Sequence, residues 1–535
     1  MPRPEAAVSP PARCIMLQGT ASNVGKSWLA TGFCRVLAQD GWRVAPFKSQ
    51  NMALNSYVTM DGGEIGRAQG VQAEAAGVIA TVDMNPILLK PCGPASAQVI
   101  LRGKPLTDAG AREYRERLIP ELLGAVKESL DRLRQEAEVV VIEGAGSPAE
   151  INLKDRDIAN MRIAALADAP VLLVGDIDRG GVFASFVGTL ELLNPEERRR
   201  VKGFLINKFR GDPSLLEPGL KWLEARTGVP VIGVVPWEDL PIDGEDSLAL
   251  PGGFGEGPLE IVAIRLPHLS NYTDLDPLRL EPDVRIRWVE RPEALGDPDA
   301  VILPGTKNSI GDLVWLRARG LAAAIGDFAA RGGRGGGLCG GYQMLGIRLM
   351  DPEGIEGGRP GEEVPGLGLL PAETAFFPTK RVLRRAGRVA AEELGPDLQG
   401  VPVEGYEIHM GRTSWCDEPR SLLWLESAGG EAGYPEGAVS RDGKVWGTYV
   451  HGIFDSWAFR RRWLDGLRRE KGLPPLEGKV RDMYAVREEA FDRLAALLRQ
   501  HVDWERVYRF LALEPPGAPR RRGRDPQAVP GEPGA

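Results

Sequence analysis

A cysteine surrounded by glycines is the first feature of the sequence that points to chemistry. Residues 334–346 read RGGGLCGGYQMLG, with Cys339 between a strand-like and a helix-like stretch. A nucleophile in a sharp strand-to-helix turn has a strained backbone, and flanking glycines let neighbouring segments approach it closely. The start of a helix also favours the thiolate, which is the reactive form of cysteine. The pattern predicts that Cys339 is a catalytic nucleophile; the alternative is a buried apolar cysteine.

A cysteine nucleophile needs a general acid and base, and the chain has four histidines, His268, His409, His451 and His501. His451 ends the apolar stretch KVWGTYVHG, a placement that suits a catalytic imidazole. His409, in GYEIHMG, is the alternative. We expect His451 to deprotonate Cys339 and then to protonate the leaving group.

Two backbone amides and one side chain are predicted to complete this site. Gly305 lies in the turn LPGTKNS after the apolar stretch AVIL, and Gly340 follows the cysteine. We expect their N–H groups to stabilise the oxyanion that forms when a thiolate attacks a carbonyl carbon. Gln343 is expected to frame the pocket for the substrate amide.

A second motif predicts phosphate binding. Residues 19–27 read GTASNVGKS, directly after the strand-like CIMLQ and before a helix-like run. In this context backbone N–H groups hold the phosphates, the lysine reaches the β- and γ-phosphates and the serine holds Mg²⁺. The strict spacing has glycine at position 20, which is Thr20 here; this variant resembles the loop of dethiobiotin synthetase, which uses ATP to activate a carboxylate. We predict nucleotide binding by Thr20, Asn23, Gly25, Lys26 and Ser27.

Further polar residues follow other strand-like stretches of the first half. Glu143 ends VVVIE and is expected to join Ser27 as a Mg²⁺ ligand, although a structural role is the alternative. Asn207 and Lys208 end FLINK and are expected to bind the base. Asp176 ends APVLLVGD and is expected to face the reacting phosphate.

The segment from residue 46 to 77 is unusually polar for the exit of a strand. Because it follows a strand beside the phosphate loop, we expect it to bind the second substrate, with a solvated loop as the alternative. The candidate substrate-binding residues of this segment are Lys48, Gln50, Asn51, Asn55 and Glu64. Asp176 is a further candidate for substrate binding.

The elements that must position these residues are short, fully apolar, β-branched runs separated by helical stretches. Such runs indicate buried parallel strands of a doubly wound α/β sheet. We expect one α/β domain over residues 13–247, a Gly/Pro-rich linker over 248–260 and a second α/β domain over 261–460. A helical segment follows over 461–512, and residues 1–12 and 513–535 are expected to be disordered.

Composition excludes several classes of function. The 535 residues are 43% hydrophobic and carry a net charge of −8, which disfavours binding to nucleic acid or an anionic membrane. No stretch approaches the roughly 20 apolar residues that span a bilayer, and no signal peptide is evident, so a cytoplasmic location is expected. Five scattered cysteines without CxxC pairing predict neither disulfides nor a structural metal site.

The motifs resemble a known family. GxCxGxQ followed by YVHG resembles the class I glutamine amidotransferases, except that Ile453 stands where that class has a glutamate two residues after the histidine. The cobyric acid and cobyrinic acid diamide synthases resemble this chain in that departure. The segments QGTASNVGKS, PFKSQNMALNS, VIEGAGSPAEINL, GDIDRGGVFAS and GYEIHMGRT extend the resemblance over residues 14–510. What orients His451 is left open.

The resemblance implies an ATP- and Mg²⁺-dependent ligase that takes ammonia from glutamine, with Gln343 in the glutamine pocket. Within that family the segment FKSQNMALNS resembles the cobyric acid synthases, and this resemblance implies amidation of the b, d, e and g carboxylates of adenosylcobyrinic acid a,c-diamide. The alternatives are a cobyrinic acid a,c-diamide synthase, a ligase of cell-wall precursors and a ParA- or MinD-like nucleotide switch. The presence of both Cys339 and His451 disfavours the switch. The sequence does not indicate an oligomeric state.

Overall fold

The computed structural model describes residues 11–93, 96–110, 113–243, 252–356, 359–417, 420–427, 433–476 and 481–515. Residues 1–10 and 516–535 of the expected disordered ends, and residues 248–251 of the expected linker, lie outside the described residues. Further along that linker, Gly253–Phe254 forms a short edge strand of the second domain's sheet.

The first domain is built on a six-stranded parallel sheet, as the apolar runs predict. In spatial order the strands are Val231–Pro236, Val201–Phe209, Val171–Asp176, Arg13–Gly19, Val139–Glu143 and Val44–Phe47. Its helices are Lys26–Gln39, Arg67–Ala76, Ile119–Glu136, Met161–Leu166, Val182–Leu192, Pro195–Arg200 and Glu217–Thr227. Successive residues of the central strand pack into separate cores, Met16 into one and Ile15 and Leu17 into the other. The doubly wound prediction is confirmed.

The second domain has a seven-stranded sheet whose five central strands are parallel. In spatial order the strands are Gly253–Phe254, Val284–Val289, Leu259–Ile264, Ala300–Leu303, Arg334–Leu338, Val445–Thr448 and Ala438–Val439. The helices around it are Ser309–Ala318, Leu321–Ala330, Gly340–Leu345 and Trp457–Glu470. The carboxyl ends of the central strands therefore meet at one edge, where the candidate residues lie.

Smaller sheets lie between the two domains. A long hairpin, Ala372–Val389 with Pro402–Trp415, joins the shorter strands Arg348–Asp351, Glu362–Pro365, Leu423–Leu425 and Tyr434–Glu436. A four-stranded sheet consists of Gln50–Met52, Ile87–Gly93, Ser96–Leu101 and Lys104–Gly110. A two-stranded ribbon consists of Ser56–Val58 and Glu64–Gly66. These strands are polar or short, so they lack the continuous apolar pattern of a buried parallel strand.

The last two helices, Met483–His501 and Trp504–Leu511, return to the first domain. Leu494 and Leu498 pack into one of its cores, and Trp504 lies 4.9 Å from Phe33 between ring centroids. Over the residues that the structure describes, the chain thus passes from the first domain to the second and back. Within the described residues, no helix combines the length and the apolar character that crossing a bilayer requires.

Candidate active sites

Cys339 occupies a strained turn between the strand Arg334–Leu338 and the helix Gly340–Leu345. Its φ of 50° and ψ of −106° lie outside the usual regions for a non-glycine residue. A Cβ on Gly341 would come within 1.9 Å of the Leu303 carbonyl oxygen, so only glycine fits there. The thiol is 8% exposed and lies 3.7 Å from the carbonyl oxygen of Ile408.

His451 is the imidazole that the structure brings to Cys339. The ring is fully buried, and its Nδ1 lies 2.7 Å from a carboxylate oxygen of Asp274. Burial opposes a charged ring, but Asp274 and the thiol of Cys339, to which the ring is hydrogen-bonded, outweigh it and raise the pKa of His451 to about 10. The imidazole is therefore suited to form an ion pair with a thiolate.

Asp274 supplies the carboxylate whose place the sequence left open. It lies in the 3₁₀ segment Tyr272–Leu280, after the first long strand of the second domain, and its other oxygen accepts the N–H of Gly452. Ile453 is fully buried in the apolar core. The sequence analysis missed Asp274 because it lies 177 residues from His451 along the chain. The signal that points to it is the polar run SNYTD after an apolar strand.

The other predicted members of this site lie nearby. A Cβ on Gly305 would be 3.3 Å from Cε1 of His451, and one on Gly340 would be 3.1 Å from the Thr306 backbone nitrogen, so both turns border the cysteine. Gln343 lies on the helix that follows Cys339.

The side chains of Gln343 and His409 are engaged by neighbours. The Gln343 amide accepts the Ser309 hydroxyl proton at 2.5 Å and donates to Tyr449. His409, the alternative base, stacks on Tyr449 and lies 3.4 Å from a carboxylate oxygen of Glu407.

The phosphate loop has the predicted strand–loop–helix form. The ammonium group of Lys26 donates to the carbonyl oxygens of Ala21 and Gly146, across the mouth of the loop. Gly25 has φ of 96°, and a Cβ there would lie 2.1 Å from Nδ2 of Asn207. Glycine at this position thus meets both a backbone and a packing requirement.

The remaining nucleotide candidates lie around the same loop. Asn207 donates to the carbonyl oxygen of Val24, and Lys208 donates to that of Asn23 at 2.7 Å. Thr20 continues from the strand, and its N–H donates to Val174 of the neighbouring strand.

Glu143 and Ser27 meet at the carboxyl end of the sheet. Ser27 Oγ lies 2.7 Å from Glu143 Oε1, near the spacing of adjacent oxygen ligands around Mg²⁺, so this pair fits the ion. Lys48 donates to the same carboxylate oxygen at 2.8 Å, and Gln72 donates to the other at 2.7 Å. The carboxylate is 1% exposed and links the phosphate loop to the polar segment.

A cavity of about 800 Å³ adjoins the phosphate loop. Lys26, Lys48, Gln50 and Asn51 line it, and Tyr114 donates from its hydroxyl to Gln50 at 2.5 Å. Three predicted substrate residues lie elsewhere. Asn55 and Glu64 are buried, Glu64 in an ion pair with Lys380 of the second domain, and Asp176 accepts a hydrogen bond from Lys208.

Comparisons with known proteins agree with this pair of sites. Residues 15–246 match the family model of the CobQ/CobB/MinD/ParA nucleotide binding domain, and residues 260–459 match that of the CobB/CobQ-like glutamine amidotransferase domain. The cobyric acid synthase of Pelotomaculum thermopropionicum is 53% identical over 519 residues, covering 95% of this chain and 98% of that protein. That of Geobacillus kaustophilus is 52% identical over 505 residues, covering 93% and 97%.

The chain belongs to the cobyric acid synthase family.

As a member of the cobyric acid synthase family, it combines a nucleotide-binding domain with a glutamine amidotransferase domain. The family resemblance read from the motifs is thereby confirmed. One sheet separates the two sites: Leu89 and Pro91 line the 800 Å³ cavity, while Gln98 lies 3.9 Å from Met410 of the second domain. Met410 is two residues from Ile408, whose carbonyl oxygen contacts Cys339.

Proposed function

We propose that the chain converts adenosylcobyrinic acid a,c-diamide to adenosylcobyric acid in cobalamin biosynthesis, by amidating the b, d, e and g carboxylates with ATP and glutamine. The observation that carries the proposal is the pairing of two sites across one sheet: a buried thiol–imidazole–carboxylate set and a phosphate loop that opens on a large cavity. A glutaminase site alone would leave the phosphate loop without a role, and a phosphate loop alone would leave the thiol–imidazole–carboxylate set without one.

The glutaminase half-reaction begins at Cys339. Its thiolate attacks the side-chain carbonyl of glutamine, and the N–H groups of Gly305 and Gly340 stabilise the oxyanion. His451, held by Asp274, protonates the departing ammonia and then activates the water that hydrolyses the thioester. Glutamate and ammonia are the products.

The synthetase half-reaction takes place at the phosphate loop. A substrate carboxylate attacks the γ-phosphate of ATP, which forms an acyl phosphate and releases ADP. This activation is needed because phosphate leaves a carbonyl carbon far more readily than oxide does. Lys26 neutralises charge that develops on the phosphates. Ser27 and Glu143 would hold Mg²⁺, which supplies further charge neutralisation when bound. Ammonia then attacks the acyl phosphate and releases phosphate.

The polar residues of the cavity suit a substrate with several carboxylates. Lys48 is a cation at the cavity wall, and Gln50 and Asn51 carry amide donors next to it. An apolar portion of the wall, including Leu89 and Val99, suits a large ring system. This mixture favours a corrinoid over a small dicarboxylic acid.

The test supplies purified protein with ATP, Mg²⁺ and glutamine, and offers either adenosylcobyrinic acid a,c-diamide or cobyrinic acid as the acceptor. We expect stepwise amide formation, followed by mass spectrometry, with the a,c-diamide as the preferred acceptor. Preference for cobyrinic acid would instead assign the a,c-diamide synthase reaction. Failure with both acceptors and with high ammonium would overturn the corrinoid assignment.

A further inference from the structure

Ser56 lies where the nucleotide domain meets the glutaminase site. It is fully buried, and all of its polar groups are hydrogen-bonded. Its backbone N–H donates to Asn271 Oδ1 at 2.9 Å, and its carbonyl oxygen accepts from the Tyr406 hydroxyl at 3.3 Å. Its own hydroxyl donates to Glu64 at 2.7 Å. Ser56 thus contacts both domains with separate groups.

Both residues that Ser56 contacts in the second domain contact the catalytic histidine. Tyr406 stacks on His451 with 5.1 Å between ring centroids, and Asn271 Nδ2 lies 3.3 Å from His451 Nε2. Asn271 is itself held in the left-handed region, with φ of 50°, and is 2% exposed. A buried, strained asparagine beside a catalytic ring is a constrained position rather than an incidental contact.

The contact with Ser56 determines which end of the Asn271 amide faces the ring. A backbone N–H can only donate, so it selects the amide oxygen, and the NH₂ group must face His451. An NH₂ group pairs with Nε2 of a neutral imidazole but opposes Nε2–H of an imidazolium. Because the thiolate of Cys339 requires an imidazolium partner, this orientation restrains the glutaminase site.

On its other side, Ser56 is tied to the wall of the 800 Å³ cavity. Lys90 donates to the Ser56 hydroxyl and to Glu64, at 2.8 Å each. Lys90 lies on the strand Ile87–Gly93, whose neighbouring residues Leu89 and Pro91 point the opposite way and line the cavity. These buried charges resist separation, so a shift of this strand is transmitted to Ser56.

We propose that Ser56 and Asn271 couple the two active sites, restraining glutamine hydrolysis until substrate fills the synthetase cavity. This inference rests on the proposed function. Binding of the corrinoid and ATP moves the strand that carries Lys90, withdraws the Ser56 N–H from Asn271 and frees its amide to turn. The imidazolium then forms without opposition, and ammonia is released when an acceptor is present. Asn271 acts through His451 and is a positioning residue.

The experiment compares corrinoid-free and stimulated glutaminase rates in the full chain. Stimulation is provided by adenosylcobyrinic acid a,c-diamide, ATP and Mg²⁺. Asn271→Gly removes the amide and keeps a residue that tolerates positive φ. We expect its corrinoid-free rate to rise about tenfold and its stimulated-to-basal ratio to fall toward one, as for a lost coupling of ordinary size.

Ser56→Ala separates the two links. It keeps the backbone N–H on Asn271 but removes the hydroxyl that contacts Glu64 and Lys90. We expect it to keep the low corrinoid-free rate and to lose stimulation. A wild-type ratio in both variants, or a wild type that shows no stimulation, would overturn the inference. A parallel loss of both rates in Asn271→Gly would also overturn it, because that result assigns Asn271 to the chemistry alone.

The pH profile gives a readout that a merely structural role would not change. The groups that face the His451 ring are Asp274, Cys339, Tyr406 and Asn271. Removing the NH₂ donor favours the imidazolium–thiolate pair, so the acid limb of corrinoid-free glutaminase should move to lower pH in Asn271→Gly; an unmoved limb contradicts the orientation argument.

Ammonium-dependent amidation serves as the separate control. If wild type amidates the corrinoid with ammonium but Asn271→Gly retains coupling, the inference alone fails. If wild type amidates no corrinoid from either nitrogen source, the proposed function fails.

Discussion

The two active sites differ in how their charged groups are partnered. In the proposed glutaminase site, one carboxylate oxygen of Asp274 contacts Nδ1 of His451, and the ring is hydrogen-bonded to Cys339. In the synthetase site, Glu143 accepts hydrogen bonds from Ser27, Lys48 and two glutamines at once. The first arrangement is assembled for its chemistry. In the synthetase site, Glu143 and Ser27 must give up some of these hydrogen bonds before the phosphates and a cation can bind.

This difference bears on how the two reactions are kept in step. A preassembled glutaminase hydrolyses glutamine wastefully unless something restrains it, whereas a synthetase whose groups are occupied with one another depends on its ligands for activation. The Ser56–Asn271 contact lies between the two sites, where such a restraint is needed. Variants that act on one site and leave the other intact therefore test the comparison.

The largest effect is expected from Asp274→Asn. Loss of the carboxylate removes the group that orients His451 and stabilises its charged form, so glutaminase activity should fall by about 10³–10⁴-fold. The basic limb of the pH profile should also move to lower pH, because the pKa of His451 is raised mainly by this carboxylate against the effect of burial. Ammonium-dependent amidation should be retained.

The matched control is Asp276→Asn, two residues further along the same 3₁₀ segment. It should keep the glutaminase pH profile of wild type. Equal losses of glutaminase activity in the two variants would mean that the activity depends on the intact 3₁₀ segment rather than on the Asp274–His451 contact.

A smaller effect with the opposite selectivity is expected from Lys26→Ala. Removing the cation that spans the phosphate loop should lower amidation by about 10²–10³-fold with glutamine and with ammonium alike. Corrinoid-free glutaminase should be unaffected. Product formation is measured for both nitrogen sources, with the exposed Lys221→Ala as the control. If amidation were lost with glutamine but kept with ammonium, Lys26 would act in the glutaminase half-reaction, which contradicts its assignment to the phosphate loop.

Gly341→Ala tests how tightly the cysteine turn is built. The added Cβ would overlap the Leu303 carbonyl oxygen, so the free energy of unfolding should fall by about 1–3 kcal/mol, and glutaminase should fall with it. In Gly466→Ala, where a Cβ meets no atom within 4 Å in a helix, stability should instead rise by about 0.5–1 kcal/mol. Denaturant unfolding of both variants measures the difference, and similar shifts would contradict it.

The smallest effect concerns Glu436, a buried residue that contacts the end of the strand Val445–Thr448. Burial raises the pKa of its carboxyl from 4.5 to about 8, despite hydrogen bonds from Thr448 and Tyr449. Between these two values the unfolded chain releases a proton that the folded chain keeps, so stability falls as pH rises through this window. Glu436→Gln should weaken this slope. Thermal unfolding from pH 5 to 8.5 measures it, and an unchanged slope would count against a protonated Glu436.

Local patterns explain what the sequence predicts well. The six strands of the first sheet are continuous apolar runs. The phosphate loop and the cysteine turn are each formed by one contiguous segment of the sequence. Cys339 directly follows the strand Arg334–Leu338, His451 lies three residues beyond the strand Val445–Thr448, and parallel strands bring their ends to one edge. Both the fold and the pairing of these two residues therefore follow from short-range signals.

Long-range contacts explain what the sequence does not predict. Asp274, in a 3₁₀ segment without apolar periodicity, and Asn271, just before that segment, contact His451 from about a third of the chain away. Glu64 is predicted to bind substrate because it belongs to the polar segment that follows a strand beside the phosphate loop. The structure pairs it with Lys90 and with Lys380 of the other domain, since a buried carboxylate needs buried cations.

The central claim, that two separate sites share one reaction through ammonia, is tested most directly by Cys339→Ala. Corrinoid amidation is followed by mass spectrometry with ATP and Mg²⁺, using glutamine or high ammonium as the nitrogen source. The account predicts that the variant forms no amide from glutamine and forms it from ammonium at the wild-type rate. Loss of amidation from both sources, or retained amidation from glutamine, would contradict it.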